Sequence, residues 1–141
     1  MSDKYFLDTN IFVYSFDGSQ PQKRKRALGL IEEALSGQVG LISSQVVQEF
    51  LNVALQKFVQ PMSPADASNY LDEVLLPLCQ VFPSEALFHG ALAVKLRWRY
   101  SFYDSLILAA ALQSGTRFLY TEDFQHGQTV EHLRIVDPFR G

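Results

Sequence analysis

Four acidic side chains stand where a plain globular fold has little use for them. Asp8 lies in "YFLDTNIFVYSF", between an apolar run that ends at Leu7 and another that begins at Ile11. Burying a carboxylate beside two such segments is costly unless something pairs with it. Asp104 follows Phe102 and Tyr103 and directly precedes "SLILAAAL". Glu49 sits on the flank of a helical stripe made by Val46, Val47, Phe50 and Ala54. Asp123 closes "FLYTED", beside Glu122. If such groups are gathered in one place they cannot all stay ionised without cations, because like charges raise one another's pKa. Hard carboxylate oxygens select Mg²⁺ or Mn²⁺ over zinc, and no cysteine pair or spaced histidines suggest a softer site.

Each residue also has an ordinary explanation. Ser101-x-x-Asp104 fits a capping box, in which Asp104 reaches back to the Ser101 N–H, and the macrodipole favours an acid in a first turn anyway. Glu49 could be a solvated helix residue, sharing its side with Gln45, Asn52 and Gln56. Asp123 could begin a turn. None of the four is diagnostic alone; the combination is.

The elements that must position them follow from periodicity and breakers. Lys4 to Leu7 read as a short buried strand. Asn10 is expected to cap a helical turn through Phe16, ended by Asp17-Gly18. Pro21 opens a second helix, with Ala27, Leu28, Leu30, Ile31, Ala34 and Leu35 inward and Gly37 closing it. "VGLIS" reads as a strand, and Ser43 or Ser44 caps the helix "QVVQEFLNVALQKF". Pro64 starts a helix with Tyr70, Val74, Leu75 and Leu78 towards the core. "CQVF" is strand-like and "SEALFHGALAVKLRWRY" an amphipathic helix. "SFYDSLILAAALQSG" is apolar nearly all round, which makes it central, and "RFLYT" and "LRIVD" are the last strands. Strands alternating with helices imply an α/β fold with a mostly parallel sheet. Ligands then bind at the carboxyl ends of the strands, where Asp8 and Asp123 both fall.

The chain has 141 residues, 48% of them hydrophobic and 19% charged, enough for one domain over residues 1–141 with a substantial core. No apolar run reaches the ~18–20 residues of a membrane span. The start, "MSDKYFLD", lacks a secretory pattern, so a cytoplasmic protein is expected. The net charge of −3 would argue against a nucleic-acid partner. It stops doing so if four carboxylates share one metal-filled site, since the remainder is then slightly basic. Lone Cys79 is expected to be a small buried hydrophobe. His89, His126 and His132 show no ligand spacing.

The pieces "FLDTNIFVY", "ISSQVVQEFLNVAL", "SFYDSLILAAALQSG" and "FLYTEDFQHG" together resemble the PIN-domain nucleases, and among them the VapC-type toxins of toxin–antitoxin pairs. They stand in the family's order from residue 6 to residue 127; Pro61 to Val94 carry no such motif. The resemblance implies a three-layer α/β/α fold with about five strands. It implies that Asp8, Glu49, Asp104 and Asp123 converge on one acidic pocket. Thr121-x-Asp123 matches the family's T-x-D pattern, so Asp123 is preferred over Glu122 as the fourth acid. Asp8 and Asp104 are then the core ligands of Mg²⁺ or Mn²⁺, with Asp123 direct or through water and Glu49 holding a water or a second ion. Thr9, Asn10 and Thr121 would orient the carboxylates.

The implied activity is metal-dependent hydrolysis of RNA phosphodiester bonds. The implied partners are an RNA substrate, an antitoxin that occludes the pocket, and a second copy in a homodimer. "VKLRWRYSFYD" interleaves Lys95, Arg97 and Arg99 with Trp98, Tyr100 and Tyr103, a pattern suited to single-stranded RNA. It suits equally the solvated end of an amphipathic helix with Trp98 inside. "QKRKR", Gln22 to Arg26, reads better as a solvated face than as an RNA grip. Three alternatives stand beside this reading. An aspartyl phosphatase would need a second carboxylate where Asn10 stands. A non-catalytic PIN-like binding module typically loses acidic positions that this chain keeps. A PIN nuclease of RNA processing or decay has the same residues as a toxin.

Overall fold

The structure is a computed structural model, described over residues 3–140. Each short strand is built from a run of residues too apolar to face water. β1 (Tyr5–Leu7) is buried throughout, and β2 (Gly40–Ser43) likewise. β3 (Cys79–Val81), β4 (Phe118–Tyr120) and β6 (Leu133–Val136) flank them in the order β3-β2-β1-β4-β6, all parallel. Such pairing demands crossovers. These are supplied by α1 (Thr9–Tyr14), α2 (Pro21–Gly37), α3 (Ser44–Gln56), α4 (Pro64–Tyr70), α5 (Leu76–Leu78), α6 (Glu85–Trp98) and α7 (Phe102–Gln113). Helices cover both faces of the sheet. A single π-helical turn, Leu71–Leu75, joins α4 to α5.

The sheet has six strands rather than five. The extra one, β5 (Thr129–Val130), runs antiparallel along the edge on β6, joined to it by a turn in which Glu131 adopts φ +53°. Two residues carry no periodicity, so no pattern in the sequence announces it. The first helix also starts earlier than expected: its N-cap is Asp8, not Asn10. The acid does double duty, ending the strand and capping the helix with no residue between them.

α7 is the central helix, as its composition requires: Ser105 through Ala111 are all buried. Phe6, Phe12, Phe50, Leu108, Leu119 and Ile135 are fully buried at the heart of the core. Gly40 lets α2 lie directly on the sheet, since a Cβ there would stand 2.4 Å from the Ala34 Cβ and 2.8 Å from Tyr5 Cε1. Several smaller expectations shift. Leu28 faces outward at 44% exposure, and Leu35, Tyr70 and Val74 are only partly buried. Cys79 is half-buried, and that partial burial pushes its thiol up. Among the described residues no helix is long and apolar enough to cross a membrane.

Candidate active site

The site grows from the end of β1. Asp8 is held in extended geometry, its Oδ1 accepting the Thr9 N–H at 2.7 Å as the cap of α1. Its own N–H donates to the Tyr120 carbonyl on the neighbouring strand β4. Just beyond β4, the buried Thr121 hydroxyl donates to Asp8 Oδ2 at 2.7 Å. Both carboxylate oxygens are therefore bonded, yet the group is only 5% exposed. Burial pushes its pKa up to about 7, with the charges of Asp123 and Glu49 adding to the rise; the Thr121 and Thr9 hydrogen bonds only partly oppose it.

Glu49 is not a solvated helix residue. It is half-buried on α3, where Oε1 accepts the Thr9 hydroxyl at 2.6 Å and Oε2 accepts the Gln45 amide at 3.1 Å. Gln45 also donates to the Tyr103 carbonyl, tying α3 to the start of α7. The spacing of Gln45 and Glu49, one helical turn apart, signals this contact in the sequence. The bond to Tyr103 has no such signal.

Asp104 occupies the first turn of α7. Ser101 Oγ accepts the Asp104 N–H at 3.1 Å, which is half of the anticipated capping box. Among the described residues the reciprocal bond is not made, so the Asp104 carboxylate is left out of the cap. Asp123 is exposed in the turn after β4, its N–H donating to Thr121 Oγ1 at 3.0 Å. Its pKa is raised, first by partial desolvation and then by the charges of Asp104, Glu122 and Glu49, while the nearby Asn10 amide opposes the rise. Neither buried amide atom of half-buried Asn10 closes a hydrogen bond of normal geometry.

The four acids are thus electrostatically linked: Asp8 feels Asp123 and Glu49, and Asp104 enters through Asp123. Glu122 points elsewhere, with Oε2 on Lys23 Nζ at 2.5 Å and Oε1 accepting the Tyr14 hydroxyl at 2.6 Å. The "QKRKR" run is largely occupied too. Lys23 holds Glu122, Arg24 donates to the Ser15 carbonyl and Arg26 to the Pro138 carbonyl. Around the other basic segment, Lys95, Arg97, Arg99 and Tyr103 are exposed, whereas Trp98 is half-buried against the core.

Hard oxygen donors, the raised carboxyls of Asp8 and Asp123 and an unbonded Asn10 amide fit a small divalent cation in chemistry. They do not enclose one. Among the described residues no group of three or more His, Cys, Asp or Glu converges closely enough to hold an ion. An ion here would rest on one or two carboxylates and solvent, which is the habit of Mg²⁺. A cavity of about 1060 Å³ lined by Phe16, Phe58, Met62 and Tyr70 takes in none of the four acids.

A strand-end aspartate caps the next helix on a parallel sheet, with Glu49 and Asp123 acting on it and Asp104 acting on Asp123, so the chain is an α/β domain with an acidic cluster at its strand ends. Residues 5–130 match the PIN domain model, and the chain belongs to that family. No curated protein sequence matches this one. Among solved structures it is similar to a toxin–antitoxin complex from Klebsiella pneumoniae (TM-score 0.70, 20% identity, 96% of this chain and 98% of that one). It is similar to FitAcB from Neisseria gonorrhoeae (TM-score 0.69, 17% identity, 96% and 98%). A third is Mycobacterium tuberculosis VapC20, a sarcin–ricin-loop-cleaving toxin (TM-score 0.61, 19% identity, 85% and 90%). At these identities the likeness is one of fold.

Proposed function

We propose that this protein is a metal-dependent ribonuclease of the VapC type, the toxin of a cytoplasmic toxin–antitoxin pair. The observation that carries the reading is Asp8: a buried carboxyl at a strand end, fixed through both oxygens, with the charges of Glu49 and Asp123 acting on it.

In this reading Asp8 and Asp104 hold Mg²⁺ or Mn²⁺, and Glu49 and Asp123 complete the catalytic set. When bound, such an ion would supply Lewis acidity: it would lower the pKa of a water and offset charge on the attacked phosphate. Thr121 and Thr9 keep the Asp8 oxygens aimed, so no reorganisation is needed when substrate arrives. Glu49, clamped by Thr9 and Gln45, orients the attacking water. With a pKa of about 7, Asp8 is partly protonated at neutral pH, so uptake of a cation displaces a proton from it. The exposed Lys95, Arg97, Arg99 and Tyr103 on α6, its C-terminal end and the start of α7 suit a flexible polyanion with stacking bases.

The similarity to a toxin–antitoxin complex supports a cognate antitoxin partner. Self-association is supported by Phe88, Leu92 and Leu96, exposed at every fourth residue of α6. The decisive test is RNA cleavage by purified protein with Mg²⁺ or Mn²⁺, with EDTA, and with Asp8→Asn. Cleavage that survives either chelation or the substitution sinks the mechanism. Growth arrest on expression, relieved by Asp8→Asn, separates a toxin from a nuclease of RNA processing or decay.

A further inference from the structure

Two features of the sequence, the basic run Gln22–Arg26 and the acid beside Asp123, have no part in the site as described. In the structure they meet. Glu122 Oε2 lies 2.5 Å from Lys23 Nζ, Oε1 accepts the Tyr14 hydroxyl at 2.6 Å, and Lys23 Nζ lies 3.3 Å from that same hydroxyl. The three residues come from the start of α2, the last residue of α1 and the turn after β4. The Tyr14 ring packs edge-on against Phe139, and the Lys23 ammonium sits 4.6 Å from the Tyr14 ring centre.

We propose that Lys23 and Tyr14 are positioning residues: they clamp Glu122 so that the turn Thr121–Asp123 presents Asp123, and not Glu122, to the acidic site. The turn is held on one side by Thr121, which bonds Asp8 and the Asp123 N–H, and on the other by buried Phe124, packed edge-on against Tyr100; neither contact distinguishes the two acids between them. Two adjacent acids on a short exposed turn can exchange places by a small backbone rotation, because either could approach a cation. A lysine and a tyrosine that engage both oxygens of one acid remove that degeneracy. The ion pair also offsets the Glu122 charge, which otherwise adds to the repulsion felt by Asp123.

The effect on turnover rests on the nuclease reading; the effect on the turn does not, so the two are measured separately. Amide hydrogen exchange at Asp123 is compared in the wild type, Lys23→Met, Lys23→Arg, Tyr14→Phe and Glu122→Gln, with the Leu119 amide as the reference for global opening. Exposed ion pairs are individually weak, so the expected acceleration at Asp123 is about threefold in Lys23→Met. Leu119 should be unchanged, Lys23→Arg should restore the wild-type rate, and Lys23→Met/Glu122→Gln should be no worse than either single change. In cleavage assays Lys23→Met should lower kcat at unchanged KM. An unchanged Asp123 rate, or equal acceleration at Leu119, overturns the clamp. Loss of cleavage on chelation with no kinetic effect of Lys23→Met overturns its catalytic relevance while leaving the nuclease reading intact.

Discussion

Thr121 joins two candidate catalytic acids through one oxygen: its hydroxyl donates to Asp8 Oδ2 at 2.7 Å and accepts the Asp123 N–H at 3.0 Å. The residue is completely buried. A hydroxyl used as both donor and acceptor sets the relative placement of a strand end and a turn separated by more than a hundred positions of sequence.

Thr121→Val keeps the shape and removes both bonds. It should destabilise the protein by about 1–3 kcal/mol, because a buried carboxylate oxygen and an amide lose their partners together. It should also lower cleavage, whereas Thr121→Ser should retain most of both. Chemical denaturation and initial rates at saturating metal decide the matter. A valine variant as stable and active as the wild type would show that the bond is incidental.

Asp8 has a folded-state pKa of about 7 against an ordinary value of 3.8. The folded protein therefore binds more protons than the unfolded chain between those values, and the contribution of Asp8 to stability falls as pH rises from about 4 to about 7. In metal-free protein, Asp8→Asn should abolish cleavage yet raise Tm at pH 7. The gain, on the order of a few kcal/mol, should shrink towards zero at pH 4. Melting curves of both proteins in EDTA across this range give the difference directly. A gain that is independent of pH would contradict the assigned shift.

Asp123→Asn and Glu122→Gln separate two neighbouring acids. Asp123 shares the electrostatics of Asp104 and Glu49, while Glu122 is bound to Lys23 and Tyr14. The asparagine variant should lose about a hundredfold or more in kcat, as expected for removal of a charged group near the reacting phosphate. The glutamine variant keeps the tyrosine bond and should lose only severalfold. The reverse order would transfer the role to Glu122.

Gly40→Ala tests the fold rather than the chemistry. The added methyl would collide with Ala34 and the Tyr5 ring, both of them buried. Relief needs a shift of α2 away from the sheet, so a loss of about 1–3 kcal/mol is expected. Equilibrium unfolding in urea reads it. Gly29→Ala, where nothing lies within 4 Å, should be neutral or slightly stabilising through helix propensity.

Most of the architecture was legible in the sequence because its signals are local. Alternating apolar runs and breakers marked the five parallel strands, and Pro21, Pro64 and Ser84 stand where helices begin. What escaped was either too short to have a period, as in Thr129–Val130, or depended on where a helix packs, as with exposed Leu28. The cap of the first helix differs from expectation for a related reason. Asp8 and Asn10 are both good caps, and only the direction in which β1 enters decides which of them meets the first N–H groups.

The acids themselves were visible as anomalies, since a carboxylate flanked by Leu7 and Ile11 is improbable without a purpose. Their individual duties were not visible. Sequence alone determined that this chain builds a parallel α/β sheet, that Asp8 falls at a strand end and that the chain carries the motifs of the PIN family. Tertiary structure alone decided that Thr9 holds Glu49, that Thr121 joins Asp8 to Asp123, and that Glu122 belongs to Lys23 and Tyr14. The physical reason is the range of the interactions. Propensity and periodicity act over a few residues, whereas these bonds span 40 to 113 positions and exist only once the core has brought their ends together.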